Sequence, residues 1–357
     1  MKRTVLIIGT LLLVPALVWG FGCAKPAPAP ALIPTPTTAP APKSVSAADF
    51  YSTNTLTIIV GMKAGASADF DARVLGAFWP DATGGTVKIK NMESGAGIAA
   101  ANTVFHAKPD GLTLGLWTQR SMFLSYLLKE PGVEYDIGKS TYIIGINIEP
   151  HAVGIAAKLP YGSVADLQKA KGLKFGATAI ATEISAALFI KLFGLDAVII
   201  PGYGSAPEVG LACARGEVDG YAASLLSIST EVAKGNLKPI IVLDDKKVKS
   251  FPNTPTFPEL TKPSPEDDEM LKVYAPLNGR MVYGPPGLPE DKVQFLRDTF
   301  MKIARMAAFR QYVSSQWSNV EAVVPGNELA ATMVQVSATP EKVLAALAQV
   351  NKKYVRR

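Results

Sequence analysis

Two cysteines, Cys23 and Cys213, and two histidines, His106 and His151, are all that 357 residues supply of the thiolate and imidazole ligands that zinc sites use. Neither a His-Glu-x-x-His run nor a Cys-x-x-Cys spacing occurs, so no zinc centre is expected. A disulfide is also out of reach if Cys23 is acylated, which leaves Cys213, between Ala212 and Ala214, as a small buried helical residue. Charge is sparse: 18% of residues are charged, and 36 Lys and Arg against 30 Asp and Glu give a net charge of +6. Without a basic stripe interleaved with aromatics, nucleic-acid binding is unsupported, whereas a mildly positive surface suits small anionic solutes. No repeat of about 20–50 residues is evident. The 48% hydrophobic share is enough for large cores, and the length suits about two domains.

The chain begins with Lys2 and Arg3 before an apolar run over 5–18, broken by Pro15 and shorter than the ~20 residues of a membrane span. That is the form of a secretory signal. Gly20-Phe21-Gly22-Cys23 closes it, and a small residue before cysteine resembles the bacterial lipoprotein box, although Leu is usual where Gly20 stands. Acylation of Cys23 is the expectation; a cleaved signal with an incidental cysteine and an uncleaved anchor are the alternatives. Residues 24–43 alternate Pro with Ala and Thr, a composition that favours polyproline II and packs no core. At ~3.1 Å per residue it reaches about 60 Å, the work of a membrane tether. Loss of residues 1–22 takes the net charge from +6 to +4, since Lys2 and Arg3 are its only charges.

From about residue 55, short apolar segments alternate with helical ones, the pattern of parallel α/β layers. Strands are expected at 56–60, 87–90, 112–116, 142–147, 153–156, 197–200, 220–223, 240–243 and 280–283. The first long helix carries Phe70, Val74, Ala77 and Phe78 on one face. Helices ending before Gly194 and Gly216 suit left-handed glycine caps. Residues 258–278, with Glu266-Asp267-Asp268-Glu269, read as an exposed loop whose acids are solvated. Pro289 starts a long helix to about Met306, a second lies near Phe309, and others begin after Asn327 and at Pro340.

Twice between residues 56 and 116 an apolar strand runs into a glycine-broken loop that opens a helix: Gly61-Met62-Lys63-Ala64-Gly65-Ala66-Ser67-Ala68-Asp69, then Met92-Glu93-Ser94-Gly95-Ala96-Gly97. Helix starts attract anions, because their first N–H groups lack intrahelical partners and the dipole is positive there. Val60, Ala64, Gly65, Asp69, Ala72 and Arg73, then Asn91, Gly95, Ala96 and Gly97, then Pro109, Asp110, Gly111, Thr113 and Leu114 follow one order. In that order the extracytoplasmic solute receptors of tripartite tricarboxylate transporters, the Bug-type receptors, carry V-P-F-x-A-G-G-x-x-D-x-x-A-R, N-x-x-G-A-G-G and A-x-P-D-G-Y-T-L. The chain resembles that family. The likeness continues through Tyr203-Gly204-Ser205-Ala206-Pro207, Gly216-Glu217-Val218-Asp219, Pro255-Thr256 and Gly284-Pro285-Pro286-Gly287-Leu288-Pro289, roughly residues 55–313. Gly61 and Lys63 stand where prolines are usual, and Ala66 where glycine is.

The resemblance implies a two-domain, periplasmic-binding-protein-like α/β fold of type II with a ligand cleft between the domains. Domain one would comprise 44–149 and a returning 244–357, domain two 150–243, with crossings near Pro150 and Leu243. It implies a monomeric receptor, not an enzyme and without a cofactor, that hands a small organic carboxylate to the membrane permease subunits of a tripartite tricarboxylate transporter. Export and a lipid anchor at Cys23 would hold it at the outer face of a membrane.

The helix starts that would converge on such a cleft offer as ligand contacts Ala64, Gly65, Ser67 and Asp69; Thr118, Gln119, Arg120 and Ser121, of which Gln119 and Arg120 stand where the family usually has small residues; Thr178, Ala181 and Thr182; Tyr203, Gly204 and Ser205; with Asp219 added. Several have structural roles as alternatives. Asp69 suits an i,i+4 pair with Arg73, Ser67 an N-cap, and Ser205 a capping box with Glu208. Arg120 either clamps a carboxylate or faces solvent. Gly95-Ala96-Gly97-Ile98-Ala99-Ala100 mimics a dinucleotide fingerprint, but it starts too far beyond the strand and its acid, Asp110, comes too early. The rival readings are a ligand-sensing lipoprotein not coupled to transport and an exported hydrolase such as a serine hydrolase, for which Gly65-Ala66-Ser67-Ala68-Asp69 falls one glycine short of a nucleophile elbow.

Overall fold

The computed structural model describes residues 45–146, 150–316 and 323–356, so the signal, Cys23 and the proline-rich segment lie outside the described residues. The first stretch comprises α1 (Ala47–Thr53), β1 (Thr55–Val60), α2 (Ser67–Ala77), α3 (Trp79–Thr83), β2 (Thr86–Asn91), a 3-10 turn at Ser94–Gly97, α4 (Ile98–Phe105), β3 (Thr113–Thr118), α5 (Gln119–Leu127) and β4 (Thr141–Ile146). The second comprises β5 (His151–Ala156), α6 (Val164–Lys169), β6 (Leu173–Gly176), α7 (Ile180–Phe193), β7 (Ala197–Ile200), α8 (Ala206–Arg215), β8 (Gly220–Ser224), α9 (Leu225–Ala233) and β9 (Leu237–Leu243). The third comprises α10 (Phe257–Leu260), α11 (Pro265–Tyr274), β10 (Arg280–Gly284), α12 (Glu290–Arg305), α13 (Ala307–Gln316), β11 (Val324–Pro325), α14 (Gly326–Ser337) and α15 (Glu341–Tyr354).

These strands form two sheets, ordered β11-β4-β10-β3-β1-β2 and β7-β6-β8-β5-β9. The expected parallel layering holds for β1 with β2 and β3, and for β6 with β7 and β8. It fails where the chain changes sheets. Strand β5, which follows β4 of the first sheet, runs antiparallel to β8 and β9; β10, which comes back from the second, runs antiparallel to β3 and β4. A strand arriving from the other sheet enters at the opposite end from a strand fed by a right-handed βαβ crossover, so it runs in reverse.

All nine expected strands form; β6 and β11 were not expected. The first is four residues ended by a glycine, and the second is two residues at a sheet edge, where Pro325 costs no ladder bond. Alternation in β1 sends Leu56, Ile58 and Val60 into one core with Leu75, Trp79, Leu296 and Phe300, while Ile59 joins Trp117 and Phe123 on the other face. Gly194 and Gly216 cap α7 and α8 in the left-handed region, as their positions led one to expect.

Three expectations are corrected. Helix α2 buries Ala68, Asp71, Ala72 and Leu75 together with Val74, the one residue of the expected stripe that is fully buried: Phe70 is half-buried, Ala77 is exposed, and Phe78 already belongs to the junction with α3. The inner face holds a carboxylate because Asp71 Oδ2 lies 3.0 Å from Arg280 Nε, with both side chains buried. Residues 258–278 are not a solvated loop. Ser264 caps α11, Pro265 opens it, and Met270, Val273 and Tyr274 face inward, while Asp267 is buried against Lys191. Finally, 244–357 does not all return to the first sheet. Helix α15 packs on α7, Asn351 Nδ2 donates to Glu183 Oε2 (3.0 Å), and the Arg356 N–H bonds Ile199 O (2.9 Å) of the second sheet. Among the described residues no helix is long and apolar enough to cross a membrane.

Candidate functional site

A cavity of about 320 Å³ opens where the two sheets face each other, a volume suited to a small organic molecule. Its walls are the loops leaving β1, β2, β6 and β7 and the ends of β3 and β8, the carboxyl edge at which open α/β sheets bind ligands. The two reversed strands present their first residues at the same edge: His151 begins β5 and Arg280 begins β10, and both line the cavity.

Of the residues picked from the sequence, Ser67, Thr118, Arg120, Ser121, Thr178, Ala181, Thr182, Tyr203 and Gly204 line this cavity. The other six do not. Ala64 and Gly65 are exposed on the loop outside it. Asp69 is turned inward, accepting from Gly65 N (2.8 Å), Arg73 Nε (2.9 Å) and Asn91 Nδ2 (2.9 Å), so it braces the loop. Gln119 is buried beside β4, and its N–H donates to Gly279 O. Asp219 precedes β8 at the far edge of the sheet, where its carboxylate accepts from Lys174 N (2.8 Å). Ser205 heads α8 without a capping bond; Glu208 reaches back to Gly204 N (2.7 Å) instead, so the expected box is shifted by one residue. Ser67 is the first residue of α2 rather than its cap.

The helix starts contribute less than their positions suggest, because the protein satisfies much of its own N–H demand there. Thr182 Oγ1 accepts from Thr178 N (2.9 Å) and Ala179 N (3.1 Å), Glu208 takes Gly204 N, and Thr118 Oγ1 takes Ser121 N (3.3 Å). Side chains therefore carry more of the site than backbone does. The sequence reading missed Trp117, Tyr221, His151 and Arg280. Trp117 had a signal: at Gly97, with φ +101°, an added Cβ would lie 2.5 Å from the indole, and at Gly61 3.2 Å. The glycines that mimic a dinucleotide fingerprint let the loop lie flat on this ring.

Electrostatically the cavity is cationic at depth. Arg120 is 2% exposed; its Nη2 donates to Asn278 Oδ1 and its guanidinium stacks 3.8 Å from the Tyr274 ring centre. No carboxylate of the described residues lies within ion-pair distance of it, and its Nε is buried without a partner. Burial pulls Arg120 down from its ordinary value, yet a guanidinium stays protonated. Burial, with Arg120 and Arg280 adding to it, pushes the His151 imidazole well below its ordinary value, so this ring is neutral near pH 7. No group of three or more His, Cys, Asp or Glu among the described residues is arranged to hold a metal ion.

The model of the tripartite tricarboxylate transporter family receptor matches residues 72–348. A UPF0065 protein of Bordetella pertussis is 25% identical over 293 residues, covering 80% of this chain and 86% of that protein. Among solved structures, Rpa4515 of R. palustris with adipate aligns at a TM-score of 0.70 and 23% identity, covering 83% of this chain and 97% of that one. MatC (Rpa3494) from Rhodopseudomonas palustris with bound malate aligns at 0.66 and 19% identity, covering 83% and 98%. The family match spans well over half the sequence, so the chain belongs to the tripartite tricarboxylate transporter receptor family, and its two sheets are the two-domain α/β fold of periplasmic solute-binding proteins.

Proposed function

We propose that the protein captures a small organic carboxylate in this cavity, with Arg120 as the anion anchor, and presents it to the permease subunits of a tripartite tricarboxylate transporter. One observation carries the reading: Arg120 is a buried guanidinium facing the cavity without a carboxylate partner, whereas its neighbour Arg280 is neutralised by Asp71. A desolvated charge is costly until an opposite charge joins it, so an entering anion relieves that cost and gains a charge-assisted hydrogen bond. The Arg120 N–H and the hydroxyls of Ser121 and Thr178 add donors that would replace a carboxylate's hydration shell. Fold relatives with malate and with adipate support the solute class.

Two lobes, 44–149 with much of 244–357 and 150–243, would close over the solute about crossings near Pro150 and Leu243. The receptor would act as a monomer on a proline-rich tether acylated at Cys23 at the outer face of a membrane. A thermal-shift panel of carboxylates, amides, sugars and metal ions tests the solute class, since a ligand at ~100 times its Kd adds roughly 2.7 kcal/mol of stability. At least one carboxylate should raise the melting temperature. Stabilisation by a sugar or a metal alone, or turnover of ester substrates, would overturn the reading.

A further inference from the structure

His151 plays no part in anchoring an anion, since it is neutral, yet it is 8% exposed and forms part of the cavity wall. Its Nδ1 lies 2.6 Å from Ser185 Oγ, which also contacts Ala181 O (2.7 Å) and the Tyr274 hydroxyl. A hydroxyl has one proton and two lone pairs, so these three contacts fix every proton in the chain. The Ala181 carbonyl only accepts, so the Ser185 proton goes there. Ser185 Oγ must then accept from both other partners: from the Tyr274 hydroxyl and from His151 Nδ1–H. That assigns the ring's single proton to Nδ1 and leaves Nε2 as a bare acceptor, for which the described residues provide no donor.

We infer that His151 Nε2 accepts a hydrogen bond from a hydroxyl of the bound solute, so that the receptor prefers hydroxycarboxylates to the same carbon skeletons without the hydroxyl. The inference rests on the carboxylate reading above and makes it more specific. A cationic donor such as an ammonium is disfavoured at this nitrogen, because the two charges that bear on the ring, Arg120 and Arg280, are both guanidinium groups. A neutral O–H meets no such repulsion. A buried acceptor left empty by a deoxy solute loses its water without replacement, which is how sites built to bond a hydroxyl reject its analogue.

Isothermal titration of the full chain with matched pairs tests this: malate against succinate, lactate against propionate, citrate against tricarballylate. In the pair that binds best, the hydroxylated acid should bind about tenfold tighter or more. His151→Phe should shrink that advantage below about twofold while the deoxy acid keeps its affinity, and His151→Gln, which restores an acceptor oxygen, should recover part of it. Equal affinities within every pair in the unaltered protein, or an undiminished preference in His151→Phe, would overturn the inference and leave the carboxylate reading intact. Failure of every acid to bind would overturn both. Should His151→Phe not fold, nitrogen NMR of the unaltered protein gives an independent readout: with only His106 and His151 to assign, a protonated Nε2 on His151 contradicts the proposal.

Discussion

Lys63 Nζ lies 2.7 Å from Glu208 Oε1, joining the loop after β1 of the first sheet to α8 of the second across the rim of the cavity. Glu208 spends its other oxygen on Gly204 N, so one carboxylate holds both the bridging lysine and the loop that carries Tyr203.

The bridge is half-exposed on both sides and adds little to stability, as surface pairs do. Its expected effect is kinetic. Lys63→Met should speed solute release a few-fold, most visibly at low salt, and leave the melting temperature nearly unchanged; stopped-flow displacement at two ionic strengths checks this. Lys63 holds the Glu208 carboxyl below its ordinary value, so the bridge is complete above the ordinary Glu range and lost as pH falls through the lowered one. Release that does not accelerate in the variant refutes the latch.

Asp69 is expected to be structural. Burial alone would raise its carboxyl, but the hydrogen bonds from Arg73, Gly65 and Asn91 outweigh burial and hold it below the ordinary value. Its stabilising contribution is therefore full above the ordinary Asp range and disappears as pH falls through the depressed one. Asp69→Ala should cost about 2–4 kcal/mol in urea denaturation at pH 7, and the difference from the unaltered protein should narrow in acid. Solute affinity, measured where both are folded, should change little.

How far the sequence revealed this molecule depended on how local each signal was. Apolar runs such as Ile58-Ile59-Val60 and the glycine stops at Gly194 and Gly216 are read within a few residues, and those elements form as expected. Helix α11 has a local signal, Ser264-Pro265 followed by acids, but its density of charge hid the inward Met270 and Tyr274. The site is harder because its cations are defined by distant partners: Arg280 by Asp71, Arg120 by Asn278 and Tyr274, His151 by Ser185 and Tyr274. The rule that points to the carboxyl ends of strands also passes over His151 and Arg280, which reach that edge as the first residues of reversed strands.

Gly97 should tolerate no side chain. Its φ of +101° is open to glycine, and a Cβ would run into Trp117, so Gly97→Ala should destabilise the protein by about 2 kcal/mol or more and weaken solute binding as the indole is displaced. Chemical denaturation with tryptophan fluorescence reads both the stability and the shift of the ring.

Cys23→Ser should move the receptor from the membrane fraction to the soluble one without altering solute affinity. Stable attachment needs more than a single acyl chain, as a diacylated cysteine would provide. A variant that still sediments with membranes indicates an uncleaved N-terminal anchor.

The central claim is that a buried, carboxylate-free Arg120 holds the anionic solute. Isothermal titration of the unaltered protein and Arg120→Gln with the best-binding carboxylate tests it most directly. Charge-assisted hydrogen bonds contribute roughly 1.5–3 kcal/mol, so the variant should bind tenfold or more weakly. Its ligand-free fold should persist, because the substitution removes a desolvated charge as well as the contacts to Asn278 and Tyr274. A folded Arg120→Gln whose affinity falls by less than about twofold would contradict the account.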